Sequence, residues 1–82
     1  MTTKNNSHLI SVSIVDDHQL FAKGLSQVIN TSDIAHVKDE YYTLQACRDG
    51  LAKSLPDILL IDIELSDGDG VDFCAEITKT YP

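Results

Sequence analysis

Two patterns of hydrophobic residues alternate along the chain. From Ile10 to Ile14, isoleucine or valine occupies every second position and serine separates them, which is the pattern of a β-strand. After Gln19 the apolar residues recur three or four positions apart, at Phe21, Leu25 and Val28, as they do on one face of a helix. The same change from a strand pattern to a helix pattern occurs twice more.

This alternation predicts three strand–helix units within one domain that spans residues 1–82. In chain order they are β1 at about residues 9–15, α1 at 18–30, β2 at 34–40, α2 at 43–54, β3 at 57–62 and α3 at 70–80. Such units imply an α/β fold, in which a parallel sheet carries helices on both faces. The unbroken apolar run Ile58–Ile61 predicts that β3 is the most central strand. Segment 66–70 is predicted to be a loop.

The composition indicates one small acidic domain. The 82 residues include 6 Lys and Arg against 13 Asp and Glu, with a formal net charge of -7. Because the basic residues are scattered, we expect no direct nucleic-acid binding by this segment. A polar N-terminus, followed by a short apolar run that serines interrupt, predicts neither a signal peptide nor a membrane segment.

The two cysteines, Cys47 and Cys74, lack the spacing of a metal-thiolate site. We expect both to be buried thiols of a cytoplasmic protein, because the cytoplasm keeps thiols reduced.

Three aspartates stand where predicted strands end. Asp16 and Asp17 follow β1, and Asp62 ends β3. Ligands of open parallel sheets bind beyond the carboxyl ends of the strands, so these three carboxylates are expected to converge if β1 and β3 are neighbours. Their mutual repulsion has to be offset by a cation or by protonation. Mg²⁺ is the natural choice of cation because it binds carboxylates, water and phosphate oxygens.

Asp62 is the predicted nucleophile among the three acids. A carboxylate beside a metal ion can attack phosphorus and form an acyl phosphate. Asp62 ends the buried strand, which leaves the pair Asp16 and Asp17 to hold the metal. Each aspartate taken alone is more often a turn residue or a helix cap, and the case rests on all three together.

Two segments carry a resemblance to a known family. Residues 13–21, SIVDDHQLF, and residues 56–70, PDILLIDIELSDGDG, resemble the acid pair and the phosphoacceptor segment of response-regulator receiver domains. The resemblance implies a flavodoxin-like, doubly wound sheet with strand order 2-1-3 over the three units present. It also implies two-component signalling, with phosphorylation by a sensor histidine kinase, and a receiver that is not itself an enzyme.

The resemblance assigns roles to individual positions. Asp16 and Asp17 match the metal-binding acids, Asp62 the phosphorylated aspartate, Glu64 the residue whose backbone carbonyl completes the Mg²⁺ site, and Gly70 the glycine that opens the third helix. The start of α1 further resembles receivers that precede a helix-turn-helix DNA-binding domain. That likeness implies control of transcription through a domain outside this chain.

The chain departs from the family pattern in two ways. Ser66 stands where the family usually has proline, which is expected to loosen the loop after Asp62. Receivers have about five strand–helix units, and this chain has three, so the hydroxyl residue and the lysine that end the fourth and fifth strands have no counterpart here. We expect the edge of β3 to be open, and therefore either self-association through it or a missing C-terminal part.

Other interpretations stay open at this stage. The chain could be a pseudo-receiver interaction module that is not phosphorylated, or an aspartate-nucleophile phosphatase, which usually has a second aspartate where Glu64 stands. Asp67–Asp72 faintly resembles a calcium loop, but Val71 occupies a ligand position, so a turn is predicted. Asp17 or His18 is expected to cap α1. His18 could instead help to shape the site, but capping is the expectation.

Overall fold

A computed structural model describes residues 9–82 of the chain. Five strands and three helices follow one another in the order β1 Ile10–Val15, α1 Gln19–Asn30, β2 Ala35–Tyr41, α2 Leu44–Leu51, β3 Ile58–Ile61, β4 Glu64–Leu65, β5 Gly68–Asp69 and α3 Gly70–Thr80. No helix in this part of the chain has the length and apolar character needed to cross a bilayer.

The main sheet contains β1, β2 and β3, all parallel, in the order β2-β1-β3. The predicted strand order and the α/β class are therefore confirmed. Val15 pairs with Tyr41 on one side and with Ile61 on the other, so the three strands end at the same edge. Every chemical feature that follows these strands is consequently brought to that edge.

The expectation that β3 is the most central strand was wrong. β1 lies in the middle of the sheet, and its residues from Val12 to Val15 are buried. Ile58 and Leu60 on β3 are 45% and 39% exposed. An unbroken apolar run shows that both faces of a strand are apolar, but it does not show how many neighbours the strand has.

Each face of the sheet packs against its own helices, as expected. On one face Val12 and Ile14 contact Ala22 of α1. On the other face Val15 packs with Phe73 of α3 and with three residues of α2, which are Leu44, Cys47 and Leu51. Cys47 is fully buried, whereas Cys74 is exposed, so only one of the two thiols is buried as predicted.

Thr43 caps the second helix and Asp69 caps the third. The Thr43 hydroxyl accepts a hydrogen bond from the Ala46 N–H at the start of α2. The Asp69 carboxylate accepts from the Val71 and Asp72 N–H groups at the start of α3. These contacts satisfy N–H groups that have no partner within a helix. α2 ends at Leu51, before its predicted end at residue 54.

Segment 66–70, predicted to be a loop, is part of a small hairpin. β4 and β5 are antiparallel, with Glu64 opposite Asp69 and Leu65 opposite Gly68. The strands are two residues long, too short for any alternation of polar and apolar positions. The hairpin follows the end of β3, and Glu64, Leu65 and Ser66 form one wall of a cleft beside Asp62.

Candidate metal and phosphoacceptor site

Two neighbouring strands bring the three predicted aspartates together. β1 and β3 pair through Val15 and Ile61, and the next residues along the chain are Asp16 and Asp62. The Asp16 N–H donates to the Tyr41 carbonyl, and the Asp62 N–H donates to the Val15 carbonyl, both at 2.9 Å. Sheet hydrogen bonds therefore hold the backbones of both aspartates in register.

Four side chains can direct one ligand atom each to a common point. The candidate atoms of Asp16, Asp17, His18 and Asp62 all lie within 4.8 Å of one another. Of the carboxylates, Asp16 is the most buried, with 10% of its side chain exposed, while Asp17 and Asp62 are 30% and 27% exposed. Solvent and ions therefore have access to Asp62.

His18 lies among the three carboxylates. Its Nδ1 is 2.9 Å from Asp16 Oδ1, 3.3 Å from Asp17 Oδ1 and 3.7 Å from Asp62 Oδ2. The hydrogen bond to Asp16 is the main reason why the pKa of His18 is raised, and the charge of Asp17 raises the pKa further. The ring is 72% exposed, so it lies on the solvent side of the three carboxylates.

The expectation that the side chain of Asp17 or His18 caps α1 was wrong. His18 occupies the capping position, but within residues 9–82 its side chain makes no capping hydrogen bond. Instead its own N–H donates to Asp16 Oδ1 at 2.9 Å. The ring therefore directs Nδ1 toward the carboxylates of Asp16, Asp17 and Asp62 and not toward the N–H groups of α1.

The loop after β3 is connected to the acid pair. The Ser66 N–H donates to Asp17 Oδ2 at 3.2 Å. An open cleft beside the aspartates is lined by Asp17, His18, Asp62, Ile63, Glu64, Leu65 and Ser66. Proline has no N–H and could not make the bond that Ser66 makes. Glu64 borders the cleft, and the role of its carbonyl as a metal ligand stays a prediction.

Two further aspartates of this region act on helices. The Asp67 carboxylate accepts hydrogen bonds from the N–H groups of Leu44 and Gln45, at 2.9 and 3.1 Å. These bonds lower the pKa of Asp67. Asp69 caps α3 in the same way. In the segment that faintly resembles a calcium loop, these two carboxylates therefore bind helix N–H groups, in agreement with the predicted turn.

The comparison with protein families decides what kind of domain this is. The profile of the response regulator receiver domain matches residues 12–82. The chain belongs to the response regulator receiver domain family. It is thus a receiver domain of a two-component response regulator, and the match includes all four residues of the site.

Individual relatives and one solved structure agree with this assignment. The chain is 24% identical over 74 residues to the DNA-binding transcriptional activator DevR/DosR of Mycobacterium tuberculosis, covering 90% of this chain and 34% of that protein. It is 32% identical over 77 residues to a protein-glutamate methylesterase/protein-glutamine glutaminase of Syntrophotalea carbinolica, covering 89% and 21%. The receiver therefore spans about a third of the activator's length and less of the methylesterase's.

The solved structure is the signal receiver domain of the response regulator NarL from Mycobacterium tuberculosis. It matches with a TM-score of 0.82 and 26% identity, over 89% of this chain and 59% of that chain. It supports the flavodoxin-like arrangement that the sequence predicted.

Proposed function

We propose that this receiver accepts a phosphoryl group on Asp62 from a sensor histidine kinase, with Mg²⁺ held by Asp16, Asp17, Asp62 and the backbone carbonyl of Glu64. The observation that carries the proposal is the convergence of three carboxylates at an open cleft where β1 and β3 end. The donor set fits the ion, because Mg²⁺ prefers oxygen ligands and binds through few carboxylates while keeping several waters.

The surroundings of the three acids support Asp62 as the nucleophile. Asp16 accepts from the His18 N–H, and Asp17 accepts from the Ser66 N–H. Among hydrogen bonds between described residues, none engages the Asp62 carboxylate, and His18 Nδ1 lies 3.7 Å from Asp62 Oδ2. An oxygen of Asp62 therefore keeps a free lone pair that faces the cleft.

In the proposed transfer, one Asp62 oxygen forms a bond to phosphorus as the bond between phosphorus and the kinase imidazole nitrogen breaks. The electrons of that bond leave with the imidazole. Asp16 and Asp17 would hold the ion beside the transferring group. When bound, Mg²⁺ neutralises charge on the phosphoryl oxygens.

Intact mass after incubation with Mg²⁺ and acetyl phosphate tests the proposal. We expect the wild-type chain to gain one phosphoryl group, because acetyl phosphate is a small donor that needs no kinase surface. Asp62→Asn should gain none, since an amide oxygen is a poor nucleophile. Asp49→Asn is the matched control, because Asp49 is exposed on α2, and it should behave as wild type.

The same experiment separates the alternatives. Turnover of the donor without a lasting adduct would indicate an aspartate-nucleophile phosphatase. A pseudo-receiver would show neither an adduct nor turnover. Running the full-length gene product in parallel shows whether residues outside this chain are needed for the reaction.

We further propose that the output is control of transcription through a DNA-binding domain outside this chain. The support is the similarity to an activator of transcription together with the Asp16–Phe21 start of α1. The methylesterase relative represents the other kind of output. The reading frame after Pro82 distinguishes them, since a helix-turn-helix segment is expected there and a catalytic domain would contradict the proposal.

A further inference from the structure

The turn of the β4–β5 hairpin, residues 66–67, makes contacts in two directions. On one side the Ser66 N–H donates to Asp17 Oδ2 at 3.2 Å. On the other side the Asp67 carboxylate accepts from the first two N–H groups of α2, at 2.9 and 3.1 Å. Within residues 9–82 these are the hydrogen bonds that join the turn to other elements. The turn therefore links a candidate metal ligand to α2.

The start of α2 is a firm support for this turn. Its first residue, Leu44, is 3% exposed and belongs to the core on that face of the sheet. A Cβ built on Gly68 would lie 2.7 Å from Leu44 Cδ1, so the hairpin and the helix are in close contact. Thr43 caps the helix separately, because its hydroxyl accepts from the Ala46 N–H. Asp67 thus joins the turn to a helix that is buried and already capped.

We propose that Asp67 is a positioning residue for the metal site, because its carboxylate fixes the turn to α2 and thereby keeps the Ser66 N–H on Asp17. This inference rests on the proposed function and concerns a residue that binds neither the ion nor the phosphoryl group. Hydrogen bonds from outside the ligand set orient ligating carboxylates, and their loss weakens metal binding. The Asp67 side chain is exposed, so its role does not come from packing in the core.

A coupling of this kind works in both directions. If the bonds between Asp67 and α2 favour the turn position that strengthens Mg²⁺ binding, Mg²⁺ binding strengthens those bonds by the same factor. One hydrogen bond corresponds to about a two- to tenfold change in an equilibrium constant. The first N–H groups of α2 should therefore exchange with solvent more slowly when Mg²⁺ is bound.

Calorimetric titration of the full-length gene product with Mg²⁺ tests the role of Asp67. Asp67→Ala should bind Mg²⁺ about two- to tenfold more weakly than wild type, the range for one hydrogen bond. Thr43→Ala is the matched control, because it also removes a cap from α2 but leaves the carboxylate on the turn. It should bind Mg²⁺ as wild type does. Equal losses in the two variants would assign the effect to the stability of α2 and overturn the inference.

A double variant tests whether Asp67 acts through Ser66. Ser66→Pro already lacks the N–H that donates to Asp17. Adding Asp67→Ala to it should lower the Mg²⁺ affinity by less than about twofold further, because two changes on one path are not additive. Fully additive losses would show that Asp67 affects the site by another route, and the proposed role would be wrong.

Hydrogen exchange of the wild-type protein needs no variant and so does not depend on how Asp67→Ala folds. Saturating Mg²⁺ should slow exchange of the Leu44 and Gln45 N–H groups about two- to tenfold more than that of the Val37 N–H. Val37 is the control because its N–H donates to the Asn30 side chain on β2's neighbour α1. An equal response at all three N–H groups would contradict the coupling.

Failure of the inference can be told apart from failure of the proposed function. If the wild-type protein binds Mg²⁺ and gains the phosphoryl adduct while Asp67→Ala binds Mg²⁺ equally well, only the role of Asp67 is wrong. If the wild-type protein neither binds Mg²⁺ nor forms the adduct, the proposed metal site is wrong and the role of Asp67 falls with it.

Discussion

At the scale of single residues, Gly70 shows how closely the backbone packs behind the site. A Cβ built on Gly70 would overlap the backbone carbonyl of Asp62, and the Gly70 N–H donates to the Ile63 carbonyl at 2.6 Å. Only a residue without a side chain allows α3 to begin this close to the backbone of Asp62 and Ile63. The family's glycine at this position therefore has a steric reason in this protein.

We expect Gly70→Ala to lower the free energy of unfolding by about 1–3 kcal/mol, the usual cost of forcing an extra carbon into a packed region. Gly24→Ala is the control, because a Cβ at Gly24 in α1 meets nothing within 4 Å. That change should raise stability by about 0.5–1 kcal/mol, since alanine favours a helix interior. Urea denaturation measures both, and equal effects of the two variants would contradict the steric explanation.

Ser66 is a second residue whose role depends on a backbone group. Ser66→Pro removes the N–H that donates to Asp17 Oδ2 and should weaken Mg²⁺ binding about two- to tenfold, the range for one hydrogen bond of about 0.5–1.5 kcal/mol. Ser66→Ala keeps the N–H and should bind Mg²⁺ as wild type does. Calorimetric titration distinguishes them, and equal losses would assign the effect to the serine hydroxyl instead.

At the scale of elements, the hairpin of β4 and β5 connects the site to α2. Asp67 lies in its turn and accepts hydrogen bonds from the first N–H groups of α2, Leu44 and Gln45. α2 and α3 are also joined by Arg48, which donates to both carboxylate oxygens of Glu76 at 2.6 and 2.8 Å. The hairpin and these helices therefore form one connected face of the domain.

The capping role of Asp67 predicts a dependence on pH. The N–H groups of α2 lower the pKa of Asp67 in the folded state below its unfolded value of about 3.9. The stabilisation is thus complete above about pH 4 and is lost as the pH falls through the folded pKa. Asp67→Asn should have a lower Tm than wild type near pH 7, and the difference should shrink in acid.

Thermal melts between neutral and strongly acidic pH measure this difference. Asp33→Asn serves as the control, because Asp33 is exposed in the connection between α1 and β2, and its Tm difference from wild type should be small throughout. A Tm difference for Asp67→Asn that stays constant down to the lowest pH would show that the carboxylate charge is not what supports α2.

At the scale of the whole molecule, the sheet is covered unevenly. Leu59 and Ile61 of β3 pack beneath α2 and α3, but Ile58 and Leu60 face the side of α1 and are 45% and 39% exposed. Within residues 9–82, β3 pairs only with β1. An apolar strand with one free edge favours pairing with another chain.

We therefore expect the 82-residue chain to self-associate through β3. Leu60→Lys should shift it toward monomer in light scattering, because a lysine on an edge strand opposes pairing. Leu20→Lys is the control, since Leu20 lies on α1 and is 87% exposed, and it should leave association unchanged. A wild-type chain that is monomeric at high concentration would refute the expectation.

Local sequence patterns determined much of this protein. The alternation of periods two and 3.6 predicted the three helices and the three strands of the main sheet, because each pattern reflects contacts between residues close in the chain. The strand order was implied by the resemblance to receiver domains. The position of Asp16, Asp17 and Asp62 after strands predicted that they would converge if β1 and β3 are neighbours, since parallel strands end at one edge of a sheet.

Only the tertiary structure decided the remaining features. The capping of α2 by Asp67 and the exposure of Ile58 and Leu60 each depend on groups that are distant in the chain or on a different element. Asp67 caps a helix that begins 23 residues earlier. The local sequence around a residue does not indicate such contacts, because these contacts form only when the sheet and its helices have packed together.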